Sequence, residues 1–163
     1  MTDPTIMVTC HPPVTRAIDT AAASAYPRET GGLLLGWWDT DGIVVAQAIE
    51  VIDPAATTDS WSRTQDTAQP VLDDALAELD DYRLGYVGDW HTHPQPCPAS
   101  GLDLAAISRA SSEYDNPIAL LVHQPLGILA GHVAHQGRLL PLRIRLDRSG
   151  ALGIGCIPRN GNR

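Results

Sequence analysis

The sequence contains no phenylalanine and no lysine. Without Phe, the core must be filled by Leu, Ile, Val and Ala, helped by four Trp and four Tyr. Without Lys, all 11 basic residues are Arg, and no lysine amine is available for conjugation to another protein. Basic runs are missing as well. The 11 basic residues are set against 19 acidic ones, a net charge of -8. That balance argues against nucleic acid as a main partner, because phosphate binding needs a Lys/Arg surface. Three cysteines (Cys10, Cys97, Cys156) are too few for a disulfide scaffold. No stretch approaches the roughly 18 apolar residues of a membrane-spanning helix. The opening residues, MTDPTIMVTC, lack the basic start and apolar run of a signal peptide, so a cytoplasmic location is expected.

What is present suffices for one domain: 163 residues, 44% of them hydrophobic. The expected domain spans residues 1–148. The tail, 149–163, has Gly at 150, 153, 155 and 161 and is expected to be partly disordered. Ile6 to Cys10 reads as a strand. Val14, Ile18, Ala21, Ala22 and Ala25 recur at helical spacing, and Pro27 ends that helix. Gly32–Trp38 and Gly42–Ile49 read as strands around the Asp39–Gly42 turn. Asp53 to Gln69 is a polar stretch expected to form a long loop, in which Trp61 stands out. A second helix is expected to start near Pro70, a good first-turn residue. Leu84–His93 reads as a strand, Ser100 opens a third helix, and three strands follow: Ile118–His123, Ile128–His135 and Arg138–Leu146. Strands and helices mixed in one small domain imply a layered α/β fold.

The informative stretch is Asp89-Trp90-His91-Thr92-His93-Pro94. Residues two apart on a strand point the same way, so His91 and His93 project together. Neutral imidazoles are good zinc ligands, and a carboxylate is an acceptable third. Asp103 reaches the same place if the Pro94–Ala99 loop turns the chain back. Three protein ligands leave a fourth position for water, as in a catalytic zinc site. Ser100-Gly101-Leu102-Asp103 also reads as a capping box, which needs no metal. The two readings are compatible, since a capped helix start would hold Asp103 rigidly. Asp89 shares the face of the histidines, either orienting a ligand imidazole or serving as a plain polar strand residue. Trp90 reads as core or cleft wall. Cys97 could fill the open zinc position as a thiolate, but is more simply a small loop residue. Cys10 and Cys156 have no expected catalytic role, and the remaining histidines read as structural or surface residues.

Glu29-Thr30-Gly31-Gly32-Leu33-Leu34-Leu35-Gly36 follows an Ala-rich helix and opens a strand. Alone, Glu29 would be a surface acid at a turn. Together with His91-Thr92-His93-Pro94, Ser100 and Asp103, the stretch closely resembles the JAMM metalloproteases, also called MPN-plus or JAB domains. Their pattern is a Glu at a Gly-rich strand start, then His-Ser/Thr-His-Pro, then Ser-x-x-Asp. The resemblance runs from about residue 5 to residue 146. One departure lies between His93 and Ser100, where this chain has six residues, Pro94 to Ala99, one fewer than is usual in the family.

The resemblance implies αβα layers, with a curved mixed sheet flanked by helices, similar to the cytidine-deaminase fold. It implies Zn2+ held by His91, His93 and Asp103. Glu29 would be the general base for the attacking water, and Ser100 would donate a hydrogen bond to the oxyanion. It further implies hydrolysis of an amide or isopeptide bond at the C-terminal Gly-Gly of a ubiquitin-like or sulfur-carrier protein or its conjugates. Activating and conjugating enzymes of the same system would be partners, and nucleic acid and membrane would not. Two alternatives stand beside it: a non-catalytic MPN scaffold, whose known forms lack the metal ligands, and a related hydrolase acting on another peptide or small amide.

Overall fold

The structure is a computed structural model that describes residues 2–147, whose apolar runs build eight strands, three helices and a short 3-10 turn. In chain order the elements are β1 (Ile6–Cys10), α1 (Pro12–Ala25), β2 (Gly31–Trp38), β3 (Gly42–Glu50), α2 (Gln65–Leu79) and β4 (Gly85–Thr92). They continue with α3 (Gly101–Ser111), β5 (Ile118–Gln124), the 3-10 turn Pro125–Gly127, β6 (Ile128–His135), β7 (Arg138–Leu140) and β8 (Leu142–Leu146).

All strands join one sheet in the order β7-β6-β5-β4-β2-β3-β1-β8. β1 runs parallel to β3 and β8, and β4 parallel to β5; the other pairings are antiparallel. β7 and β8 lie at opposite ends of this order, yet only Pro141 separates them. The sheet must therefore curl until its edges approach. Gly131 of β6 lies so close to β8 that a Cβ there would come within 2.4 Å of the Ile144 side chain.

Both faces of the sheet are covered, as β5 shows. Ala119 and Leu121 pack with Val14 and Ile18 of α1, while Ile118 and Leu120 pack with Ile107 of α3. α2 covers Leu33 and Val51 through Ala68. The result is the αβα arrangement with a curved mixed sheet. Buried Leu, Ile and Val form most of the core, with Trp90 as its one fully buried aromatic among the described residues.

Two expectations are corrected. The second helix starts at Gln65, not near Pro70, because Thr64 and Thr67 form a reciprocal capping box that nucleates it earlier. Pro70 then sits inside the helix, where its missing N–H forgoes one bond near the start. The expected strand Arg138–Leu146 is two strands on opposite sheet edges, divided at Pro141. Proline offers no ladder N–H and marks the crossing point. The tail expectation lies outside the described residues. Among those described, no helix is long and apolar enough to cross a membrane.

Leu121 is fully buried and Leu126 is 99% exposed. Leu121→Ala should cost about 2–5 kcal/mol in urea unfolding, whereas Leu126→Ala should stay within about 0.5 kcal/mol of the parent.

Candidate metal centre

β4 lies near the middle of the sheet, between β2 and β5, and ends at the histidine pair. A register shift opposite Leu34 and Leu35 marks a bulge around Val87 and Gly88. Gly88 has φ +154° there, and a Cβ would lie 2.0 Å from the Ala119 carbonyl oxygen. Beyond this bulge, Trp90 points into the core beneath α1 while Asp89 and His91 face the side covered by α2 and α3. Trp90 is 1% exposed, and its indole N–H donates to the Ile49 carbonyl, so it is core.

Thr92, between the two histidines, ties the strand to Thr30. The Thr92 N–H donates to the Thr30 carbonyl at 2.8 Å, and the Thr30 N–H donates to Thr92 Oγ1 at 2.9 Å. This exchange carries the neighbouring Glu29 across to the histidines. Glu29 is 8% exposed, its N–H donates to the Thr57 carbonyl, and its Oε1 lies 3.9 Å from His93 Nε2. Burial pushes the Glu29 carboxyl above the ordinary range for its type, with His91 and His93 opposing the shift.

The tautomer of His93 follows from its other nitrogen. Nδ1 lies 2.9 Å from the Cys97 carbonyl oxygen, which only accepts, so Nδ1 carries the proton. In the neutral ring Nε2 is then a bare lone pair. That atom lies 3.1 Å from His91 Nε2. Asp103 Oδ2 completes the group, 3.5 Å from His91 Nε2 and 3.6 Å from His93 Nε2. Four tetrahedral ligands about 2.05 Å from zinc stand about 3.3 Å apart. The three observed separations bracket that figure, and the donor set, two imidazoles and one carboxylate, fits zinc. These three residues form a group that could hold a metal ion.

The short loop before α3 does not keep Asp103 away. Ser100 and Asp103 form a reciprocal capping box: the Ser100 N–H donates to Asp103 Oδ2 at 2.7 Å, and the Asp103 N–H donates to Ser100 Oγ at 3.1 Å. The helix cap and the cluster thus use the same carboxylate oxygen. Burial disfavours the Asp103 anion, but His91 and the Ser100 N–H outweigh it and hold the carboxyl well below the usual carboxylate range. Ser100 itself is exposed at the rim.

Cys97 does not enter the cluster. Its Sγ lies 3.4 Å from His93 Nδ1, the nitrogen turned away from the other ligating atoms. The Cys10 thiol is buried and pushed up to about 12, so it stays protonated. His123 pairs with Asp19 at 2.8 Å, and His135 bonds the Asp115 carbonyl.

Sequence reading missed how the segment after β3 clamps this site. Trp61 stacks beside His91, ring centroids 6.4 Å apart and 19° between planes. Its indole N–H donates to the Val51 carbonyl, which fixes the ring. Residue 31 must be Gly because a Cβ there would lie 2.7 Å from the Trp61 ring. Two residues on, Arg63 grips Asp89 with two hydrogen bonds of 3.0 Å and reaches the Tyr86 hydroxyl at 3.3 Å. The Asp89 carboxylate is therefore engaged by Arg63, not by a ligand imidazole. The only sequence signal was an unusual Trp in a polar stretch.

A two-histidine, one-carboxylate cluster at the end of a central strand, faced by a buried glutamate, makes this a candidate metal site on an α/β fold. Residues 11–140 match the prokaryotic homologs of the JAB domain, and the chain belongs to that family. Among solved structures, it is similar to a protein from Desulfitobacterium hafniense determined in solution. That match has a TM-score of 0.62 and 16% identity, and covers 86% of this chain and 94% of that one. At such identity the likeness concerns the fold alone. A JAB1/MPN domain protein from Archaeoglobus fulgidus matches at 18% identity with a TM-score of 0.48, over 84% of this chain and 98% of that one. No curated protein matches.

Arg63→Ala should remove the bidentate grip on Asp89 and lower stability by about 2 kcal/mol. Urea unfolding of the variant against the parent checks this; an unchanged midpoint would make the clamp energetically idle.

Proposed function

We propose that the protein is a zinc-dependent peptidase or isopeptidase. The observation that carries this reading is the convergence of His91 Nε2, His93 Nε2 and Asp103 Oδ2, with the buried Glu29 carboxylate beside them. A zinc ion held by those three residues would lower the pKa of a water to about 7 and polarise a carbonyl.

The chain's own groups supply the rest. Glu29 takes the proton of the attacking water and returns it to the leaving nitrogen. Its buried setting, which favours the protonated form, suits the second of these tasks. Ser100 Oγ accepts the Asp103 N–H, which leaves its own proton to stabilise an oxyanion. The bond cleaved is an amide or isopeptide bond at the C-terminal Gly-Gly of a ubiquitin-like or sulfur-carrier protein or its conjugates. Support for this substrate class comes from the motif resemblance. The intact three-ligand cluster and its facing glutamate speak against a purely scaffolding role.

The test uses a sulfur-carrier-type domain ending in Gly-Gly and extended by a single residue. Zinc-loaded protein should cut after Gly-Gly, lose activity to a chelator and regain it with zinc. Glu29→Gln should retain zinc and lose about 10²–10⁴-fold in turnover. Asp103→Ala should weaken zinc binding itself. Undiminished turnover by Glu29→Gln would remove Glu29 from its role, and zinc affinity unchanged by Asp103→Ala would reduce Asp103 to a helix cap.

A further inference from the structure

A cavity of about 440 Å³ opens onto His93. Helix α1 lines it with the small side chains of Ala22 and Ala23 and with Tyr26, and Pro94, Pro125 and Gly127 complete its apolar lining. Besides His93 and the Tyr26 phenol, three charged or titratable side chains border it. Asp19 and His123 are 2.8 Å apart and satisfy each other. Arg28 differs: it is exposed, and among the described residues its guanidinium has no ion-pair or hydrogen-bond partner. Its backbone N–H donates to the Ala25 carbonyl, which fixes the turn leading into Glu29. The space is thus bordered by one member of the cluster, His93, and by a cation without a counter-ion among the described residues.

We infer that this cavity binds the leaving side of the substrate: a C-terminal residue with an aliphatic side chain, whose α-carboxylate pairs with Arg28. The inference rests on the metallopeptidase reading above and narrows it to the peptide bond of a C-terminal residue, leaving isopeptide conjugates aside. Aliphatic surface and a carboxylate on one residue describe a chain terminus, since a mid-chain aliphatic residue has no carboxylate. An acidic side chain placed in the apolar lining would lose its hydration beside Asp19. A carboxylate at the rim instead meets a guanidinium suited to a bidentate pair. The reaction is then hydrolysis of the last amide. The water oxygen joins the acyl carbon, the C–N bond breaks, and the nitrogen takes its proton from Glu29 and departs as a free amino acid.

Calorimetry on the zinc-loaded full chain tests this with four compounds. They are acetohydroxamate; 2-isobutylsuccinic acid monohydroxamate with its carboxylate free; the same compound as its methyl amide; and a methyl amide bearing a carboxymethyl side chain in place of isobutyl. The free acid should bind at least about tenfold tighter than acetohydroxamate, through buried aliphatic surface and the ion pair. The methyl amide should lose much of that gain. Arg28→Ala should bring acid and amide to equal affinity, and Ala23→Trp, which fills the cavity, should bring both close to acetohydroxamate. Acid and amide binding alike in the parent would overturn the terminal-carboxylate assignment. So would tighter binding of the carboxymethyl compound, which would point to an acidic side chain. An Ala23→Trp variant that binds the acid as the parent does would overturn the cavity. Failure of acetohydroxamate to bind would instead overturn the metal reading, and this inference with it.

Discussion

One carboxylate oxygen ties the fold to the site. Asp103 Oδ2 accepts the Ser100 N–H that would otherwise be left open at the start of α3, and the same atom faces both imidazoles. The helix cap therefore fixes the rotamer of the third potential ligand before any ion arrives. His93 is held in the same manner from behind, by the Cys97 carbonyl on Nδ1. Two imidazole nitrogens 3.1 Å apart beside an ionised carboxylate form an electron-rich cluster, which needs a proton or a metal cation at its centre. Preorganisation of this kind lowers the ordering cost of binding.

The sheet supplies the remaining constraints. Thr92 links the histidine strand to the strand start that carries Glu29, so the general-base candidate and the ligand pair are set by reciprocal hydrogen bonds between Thr30 and Thr92. Trp61 and Arg63 press on residues 91 and 89 from outside, and Gly31 makes room for the indole. On the α1 side, small alanines leave open space next to His93. The buried cluster thus stands beside an apolar cavity that borders His93.

Much of this was legible in the sequence, for identifiable reasons. Helical spacing located α1, which buries Val14, Ile18 and Ala21, while apolar runs bounded by turn residues located β1, β5 and β6. The His-x-His and Ser-x-x-Asp spacings are local, and local spacing maps directly onto a strand face and a first helical turn. Glu29 was visible only through the family pattern, since nothing near it in sequence marks its approach to His93. The start of α2 escaped because its capping box uses Thr67 where a Glu or Gln is the common signal. The β7–β8 break escaped because residues on both sides of Pro141 carry strand-like side chains, and only the curl of the whole sheet sends them to opposite edges. The clamp by Trp61 and Arg63 joins residues far apart in sequence, so it is a product of tertiary packing that composition does not encode.

The central claim is that His91, His93 and Asp103 hold a zinc ion. The most direct measurement is the zinc content per chain of the purified protein, beside a His91→Ala/His93→Ala variant of the same chain. The account predicts close to one zinc per parent chain and close to none in the variant. A parent that takes up no zinc even after reloading under reducing conditions, or a variant that retains the parent's zinc, would contradict it.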